Sequence, residues 1–347
     1  MGGIVVGSAC GMWYANYWFR SNLEAMPEGE SFLVRYDDGK AFISAVSDLV
    51  DQGVIRNERA FRLYCRMNDR EMQLEIGTYK FHPGMKVKEV LTAMESPISQ
   101  DVTIPEGWWI ARVAPILEKN NVCTADEYIA LANDPSFFDG SVGFPLPEDS
   151  LEGYLYPDKY DFPPLYGAEN VIRTMLATFE TKVWQEMEGQ IPIFDDSSLG
   201  GSPQQWQVQH YVTMASLVEL EAGVEKDRPL IAGVIKNRLE ANMPLALDAT
   251  ILYALQEWRT LKAGETQEVK SPYNTYRNAG LPPGPIGSPA WRSINAAINP
   301  AEHKFYYFYA PPGSDEHIFT KNYNEHRRAI RNPERYMPPP IEENSAP

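Results

Sequence analysis

The sequence predicts an α+β protein: a small α+β domain followed by a mainly helical domain that ends in a C-terminal β-hairpin. Three observations predict it. Strand-like runs bracket two helix-like runs between residues 31 and 98. From Gln205 onward the apolar residues recur mainly at helical spacing. Near the end, Lys304 to Ala310 and His317 to Lys321 read as strands joined by Pro311-Pro312-Gly313-Ser314-Asp315. A chain of 347 residues exceeds one small core, and its 44% apolar and 12% aromatic content suits a globular body.

Residues 1–19 carry no charged side chain and approach the roughly 20 apolar residues that cross a bilayer. Trp13, Tyr14, Tyr17, Trp18 and Phe19 crowd the end that Arg20 closes, as an interfacial belt would. This predicts a single-pass anchor over 1–19, with a cleaved signal peptide, a lipoprotein signal at Ser8-Ala9-Cys10 and a frayed tail as alternatives. A polar linker follows over 20–30. In the small domain, 31–98, Phe32 to Tyr36 reads as a strand, Ala41 to Gln52 and Glu58 to Met67 as helices, and Leu74 to Phe81 as a second strand. Phe42, Ile43, Val46, Leu49 and Val50 form an apolar helix face that Gly53 ends, and a further helix runs through Val87, Val90 and Leu91.

The second domain, 99–334, opens with Val102 and Ile104 and continues into helices through Ile110, Val113 and Ile116 and over Ala125 to Leu131. The Gly-, Pro- and aromatic-rich run from Pro135 to Pro164 is too long for an idle connection and reads as a structured, substrate-facing loop. Asp195 to Pro203 reads as a solvated excursion, and 335–347 as a disordered tail.

The formal charge of −16, with no basic stripe, argues against a nucleic-acid partner, because phosphate binding relies on clustered Lys and Arg. Cys10, Cys65 and Cys123 have no metal-ligand spacing, and neither do His82, His210, His303, His317 and His326. No metal or other cofactor is expected.

From Val208 to Ala222 an apolar stripe passes through Val208, Tyr211, Val212, Ala215, Val218 and Ala222, and Glu219 interrupts it. Burial beside that surface raises a carboxyl's pKa and suits it to donate a proton near neutrality. Glu221 points about 200 degrees away on a regular helix. The competing reading of Glu219 is a satisfied buried ion pair with Arg228 or Arg238. Asp227 with Pro229 reads as the start of the next helix, and Asp248 as the N-cap of the run from Ala249 to Trp258, with Thr250 beside it. The rigid segment Ser271-Pro272-Tyr273-Asn274-Thr275-Tyr276 leads into Gly280-Leu281-Pro282-Pro283-Gly284-Pro285-Ile286, and its amide and aromatic groups suit sugar recognition as well as they suit a proline-rich turn. The candidate substrate-binding residues are Glu221, Asp248, Thr250, Tyr273, Asn274 and Tyr276.

Taken in order and spacing, Met214 to Glu221, Asp227-Arg228-Pro229, Ala232-Gly233-Val234, Asn237-Arg238-Leu239, Asp248 with Thr250, and the two loop segments resemble the YceG-like family of endolytic murein transglycosylases. Gly77-Thr78-Tyr79, Pro105-Glu106-Gly107 and Leu151 to Asp158 extend the resemblance over residues 30 to 331. It implies a membrane helix, a LysM-like small domain, and a catalytic domain outside the bacterial cytoplasmic membrane with Glu219 as catalytic glutamate. Peptidoglycan glycan strands are the implied substrate, cut between MurNAc and GlcNAc to leave 1,6-anhydroMurNAc, and cell-wall synthesis machinery the implied partner. Ala246, Lys159 and Leu220 depart from residues common in the family, and 195–203 looks like an insertion. Two alternatives stay open: a muramidase that pairs Glu219 with Asp248 or Glu221, and a non-catalytic peptidoglycan binder.

Overall fold

The computed structural model describes residues 2–37, 42–70, 73–190 and 203–336, and the chain divides into two compact units. Of the expected excursion at 195–203, residues 195–202 lie outside the described residues, as do residues 337–347 of the tail expected over 335–347. The first unit comprises Met1–Val102, Leu117–Thr124 and Tyr160–Gly167, and the second Thr103–Ile116, Ala125–Lys159 and Ala168–Pro347.

In the first unit, α1 (Gly2–Ser21) is followed by β1 (Phe32–Tyr36), α2 (Phe42–Asp51), α3 (Glu58–Met67), β2 (Gly77–Phe81) and α4 (Val87–Met94). β1 and β2 pair antiparallel, with Phe32 opposite Phe81 and Val34 opposite Tyr79. The helix faces read from the sequence supply the packing: Ala45, Val46, Leu49, Phe61 and Cys65 close over Tyr36, Tyr79 and Phe81, all buried. Truncating Phe61 to alanine would cost about 3–5 kcal/mol in such a core. Asn57 caps α3, its Oδ1 accepting the Ala60 N–H at 3.1 Å. Thr78, buried, donates from Oγ1 to the Pro164 carbonyl at 2.6 Å, so 160–167 is stitched to this unit.

The run expected to form an anchor over 1–19 falls in α1, but among the described residues no helix is long and apolar enough to cross a membrane. Four glycines and Asn16 dilute the apolar run. The expected anchor is therefore not supported.

The second unit carries α5 (Ile110–Lys119, its last turn in the first unit), α6 (Ala125–Ala132), α7 (Ala168–Phe179), a π-helical turn (Glu180–Trp184), α8 (Gln185–Met187), α9 (Pro203–Glu221), α10 (Arg228–Glu240), α11 (Asp248–Leu255), α12 (Glu265–Glu268), α13 (Trp291–Ile298) and α14 (Tyr323–Arg331). β3 (Asp101–Thr103) pairs with β4 (Lys159–Asp161), and β5 (Tyr307–Tyr309) pairs antiparallel with β6 (Ile318–Thr320).

α9 is the centre of this unit. Every residue from Tyr211 to Val218 is buried, and α10, α11 and α13 pack around it. The expected one-sided stripe is thus a surface buried all round, with Thr213 and Ser216 among its apolar residues, as befits a helix enclosed by its neighbours. The 135–164 run is packed rather than solvated: Leu151, Tyr154 and Leu155 are buried, and Tyr154 lies 5.3 Å from Phe179 between ring centroids. Glu152 in that run is buried too, accepting the Ile110 N–H at 3.1 Å and the Tyr253 hydroxyl at 3.4 Å, with burial pushing its carboxyl up to about 8.

Candidate active site

The last turn of α9 carries two carboxylates with different fates. Glu219 Oε1 meets Arg228 Nη1 at 3.0 Å, with both side chains more than nine-tenths buried, and Oε2 accepts the Ala290 N–H at 3.0 Å. Arg228 also donates to Ser293 Oγ and to Glu225 Oε2. This is the ion-pair reading of Glu219, and it engages both carboxylate oxygens.

Glu221, half-buried, instead lines a cavity of about 550 Å³ in the second unit. Burial is the main force on its carboxyl, and nearby Asp248 adds to it. Together they push Glu221 up to about 7, against the Ala249 N–H at the start of α11 and the charge of Arg238. A carboxyl in this range populates both its protonated and its ionised form near neutral pH, so it can give and take a proton.

The cavity also collects Asp248 and Tyr276, whose hydroxyl donates to Asp248 Oδ1 at 2.5 Å. Asp248 is the first residue of α11, not its cap: Leu247 occupies the cap position, and the Asp248 side chain is turned to Tyr276. Of the residues singled out in the sequence, Glu221, Asp248 and Tyr276 meet at the cavity, while Glu219, Thr250, Tyr273 and Asn274 do not line it.

Those four hold the frame. Asn274 is buried, donates from Nδ2 to the Thr266 and Val269 carbonyls and accepts the Tyr276 N–H at 2.9 Å, so it shapes the loop that presents Tyr276. Thr250 bonds the Leu247 carbonyl at 2.7 Å and meets Thr275 Oγ1 at 3.0 Å. Tyr273 packs on Tyr253, with ring centroids 4.8 Å apart. The 135–164 run contributes nothing to the lining either.

The opposite wall was missed in the sequence. Tyr307 and Tyr309 of β5, His317 just before β6, and Tyr323 and His326 of α14 all line the cavity. His326 stacks on Tyr307 at 5.3 Å, and Arg238 sits over the same ring at 5.2 Å. The unbroken aromatic run Phe305-Tyr306-Tyr307-Phe308-Tyr309 in a hairpin strand was the available signal, but α14 was not read as an element.

A family model described as the YceG-like family matches residues 34–332. The chain belongs to the YceG-like family. It is 29% identical over 308 residues to the endolytic murein transglycosylase of Bacillus subtilis (strain 168), covering 83% of this chain and 81% of that protein. It is 28% identical to the protein of the same name from Streptococcus pneumoniae serotype 2, covering 80% of this chain and 54% of that relative, so it spans about half of the pneumococcal protein. A crystal structure of a putative yceG-like protein from Listeria monocytogenes matches with a TM-score of 0.56 and 29% identity, over 86% of this chain and 99% of that one.

Much of the YceG-like signature proves to be scaffolding. A Cβ on Gly233 of α10 would lie 2.3 Å from the Ala301 carbonyl, so only glycine admits that chain. Gly107 adopts φ +72° with its N–H on the Ser288 carbonyl at 2.8 Å, close against Leu220. Asn237 bonds the His303 and Phe305 carbonyls, and Arg238 bonds the Tyr306 carbonyl at 2.6 Å, fixing the hairpin to α10.

Proposed function

We propose that the chain is a lytic transglycosylase that cuts the β-1,4 bond between MurNAc and GlcNAc inside peptidoglycan strands, with Glu221 as general acid/base. The observation that carries the reading is the placing of a carboxyl, raised by burial toward neutrality, in a sugar-sized cavity walled by tyrosines. The names of the Bacillus and pneumococcal relatives supply the substrate class. Glu221 protonates the glycosidic oxygen as the C1–O bond breaks. The resulting carboxylate then takes the proton of the MurNAc C6 hydroxyl as that oxygen bonds C1, closing the 1,6-anhydro ring. Attack within one sugar gains from effective molarity and needs neither water nor a second carboxylate. We assign this role to Glu221 rather than to Glu219, because both Glu219 carboxylate oxygens are engaged by Arg228 and the Ala290 N–H and that side chain does not line the cavity, whereas Glu221 does.

Asp248 in the same cavity supports a second reading, hydrolysis with two carboxylates. Digestion of uncrosslinked glycan in heavy-oxygen water separates the two. Unlabelled 1,6-anhydroMurNAc ends and early internal cuts are expected, and labelled reducing MurNAc ends would overturn the transglycosylase reading. The strand–helix–helix–strand order of the first unit supports a LysM-like glycan holder. With this substrate the site works on the outer side of the cytoplasmic membrane, beside the machinery that makes new strands.

A further inference from the structure

Asp227 was expected to cap α10, but its side chain makes no cap bond. Instead Asp227 Oδ2 accepts both the backbone N–H of His317 at 2.7 Å and its ring Nδ1 at 3.0 Å. Both side chains are more than nine-tenths buried, and Phe308 packs edge-on against the ring at 5.4 Å. A carboxylate only accepts, so it keeps the imidazole proton on Nδ1, and in the neutral ring Nε2 then carries a lone pair. Nε2 has no hydrogen-bond partner among the described residues, and His317 lines the same cavity as Glu221. Structural anchoring of the hairpin needs the backbone N–H alone; fixing the ring as well leaves one acceptor of defined direction in the cleft.

We propose that His317, oriented by Asp227, binds the glycan directly, its Nε2 accepting a hydrogen bond from a sugar hydroxyl or acetamido N–H. Glu221 supplies the proton chemistry and His317 holds the saccharide, so Asp227 is a positioning residue acting through the ring. The proposal rests on the peptidoglycan reading above. It is absent from that reading's chemistry, since no proton leaves or reaches Nε2 during the cut. An acceptor fixed in this way favours substrates that present a donor at that point and disfavours analogues lacking it.

The test measures the affinity of short uncrosslinked peptidoglycan strands in a Glu221→Gln background, where they are not cut, together with kcat and KM in the parent enzyme. His317→Phe keeps a packed ring and removes the acceptor. His317→Gln can donate its amide N–H to Asp227 and turn its oxygen to the cavity. We expect the dissociation constant to rise about tenfold in His317→Phe and less than about threefold in His317→Gln, with KM moving more than kcat. If His317→Phe does not fold, His317→Met is the acceptor-free comparison. Unchanged affinity in a folded acceptor-free variant overturns the proposal, as does an equal loss in both variants tracking a fall in melting temperature. Strands that bind none of the proteins, the His317 parent included, overturn the peptidoglycan reading along with it; binding that ignores His317 overturns this inference alone.

Discussion

Two glutamates, two residues apart at the end of one helix, differ in nearly everything that matters for chemistry. Glu219 faces α13 and Arg228, where its charge is matched by a guanidinium and a backbone N–H. Glu221 faces the α11 start and the hairpin, where a second carboxylate and burial oppose its charge. A helix turns about 200 degrees between them, so the same local sequence feeds one carboxyl into the core and the other into a cleft. The difference teaches that burial alone does not mark a general acid. Incomplete compensation of the charge does so only where the carboxyl also opens on a cleft, since Glu152 is raised further and lines no part of the cavity.

The sharpest way to break this comparison is Glu221→Gln, which should lower turnover of peptidoglycan by roughly 10²–10⁴-fold while the folded protein still binds strands. Wild-type turnover by this variant would return the role to Glu219. The converse variant, Glu219→Gln, leaves buried Arg228 with only the exposed Glu225 as its anion and should cost at most about 3–5 kcal/mol of stability in denaturant unfolding, with turnover per folded molecule largely kept. Asn274→Ala removes the loop's internal bonds and should cost about 1–3 kcal/mol, its activity loss following the unfolded fraction. An activity loss in fully folded Asn274→Ala would give that amide a place at the substrate after all.

Smaller effects sharpen the contrast through pH. Glu221 is raised from 4.5 to about 7 in the folded protein, so its ionisation opposes folding. That cost is absent below the unfolded value, grows between the two, and is complete above the folded one. Glu221→Gln should therefore melt a few degrees higher than wild type at about pH 8 and together with it at about pH 4. Asp248→Asn removes a charge that holds the Glu221 proton, and the alkaline fall in activity should move to lower pH by up to about one unit. No movement would separate Asp248 from the acid.

Legibility followed the locality of the physics. β1 and α3 stand where the sequence placed them: β1 is a short apolar run, and the buried Ala60, Phe61 and Cys65 of α3 recur at helical spacing. The hairpin was also legible, though its paired core is shorter than the runs that announced it. α7 and α14 went unread, the first although its buried Val171, Ile172, Met175 and Leu176 repeat at helical spacing, the second because Arg, His and Asn dominate it. In the site, Asp248 and Tyr276 were named as separate candidates 28 residues apart, and only the structure joins them by a hydrogen bond.

By itself the sequence determined the helices and strands with clear periodicity, the family signature, and the end of α9 as the place where a carboxylate meets apolar surroundings. Tertiary structure alone decided which carboxylate is neutralised and which is not. Arg228 comes from α10, Ala290 from the loop before α13, Asp248 from α11, and the aromatic wall from β5 and α14. A pKa and a cleft are sums over neighbours brought from distant positions in the chain, and no spacing within one helix encodes that sum.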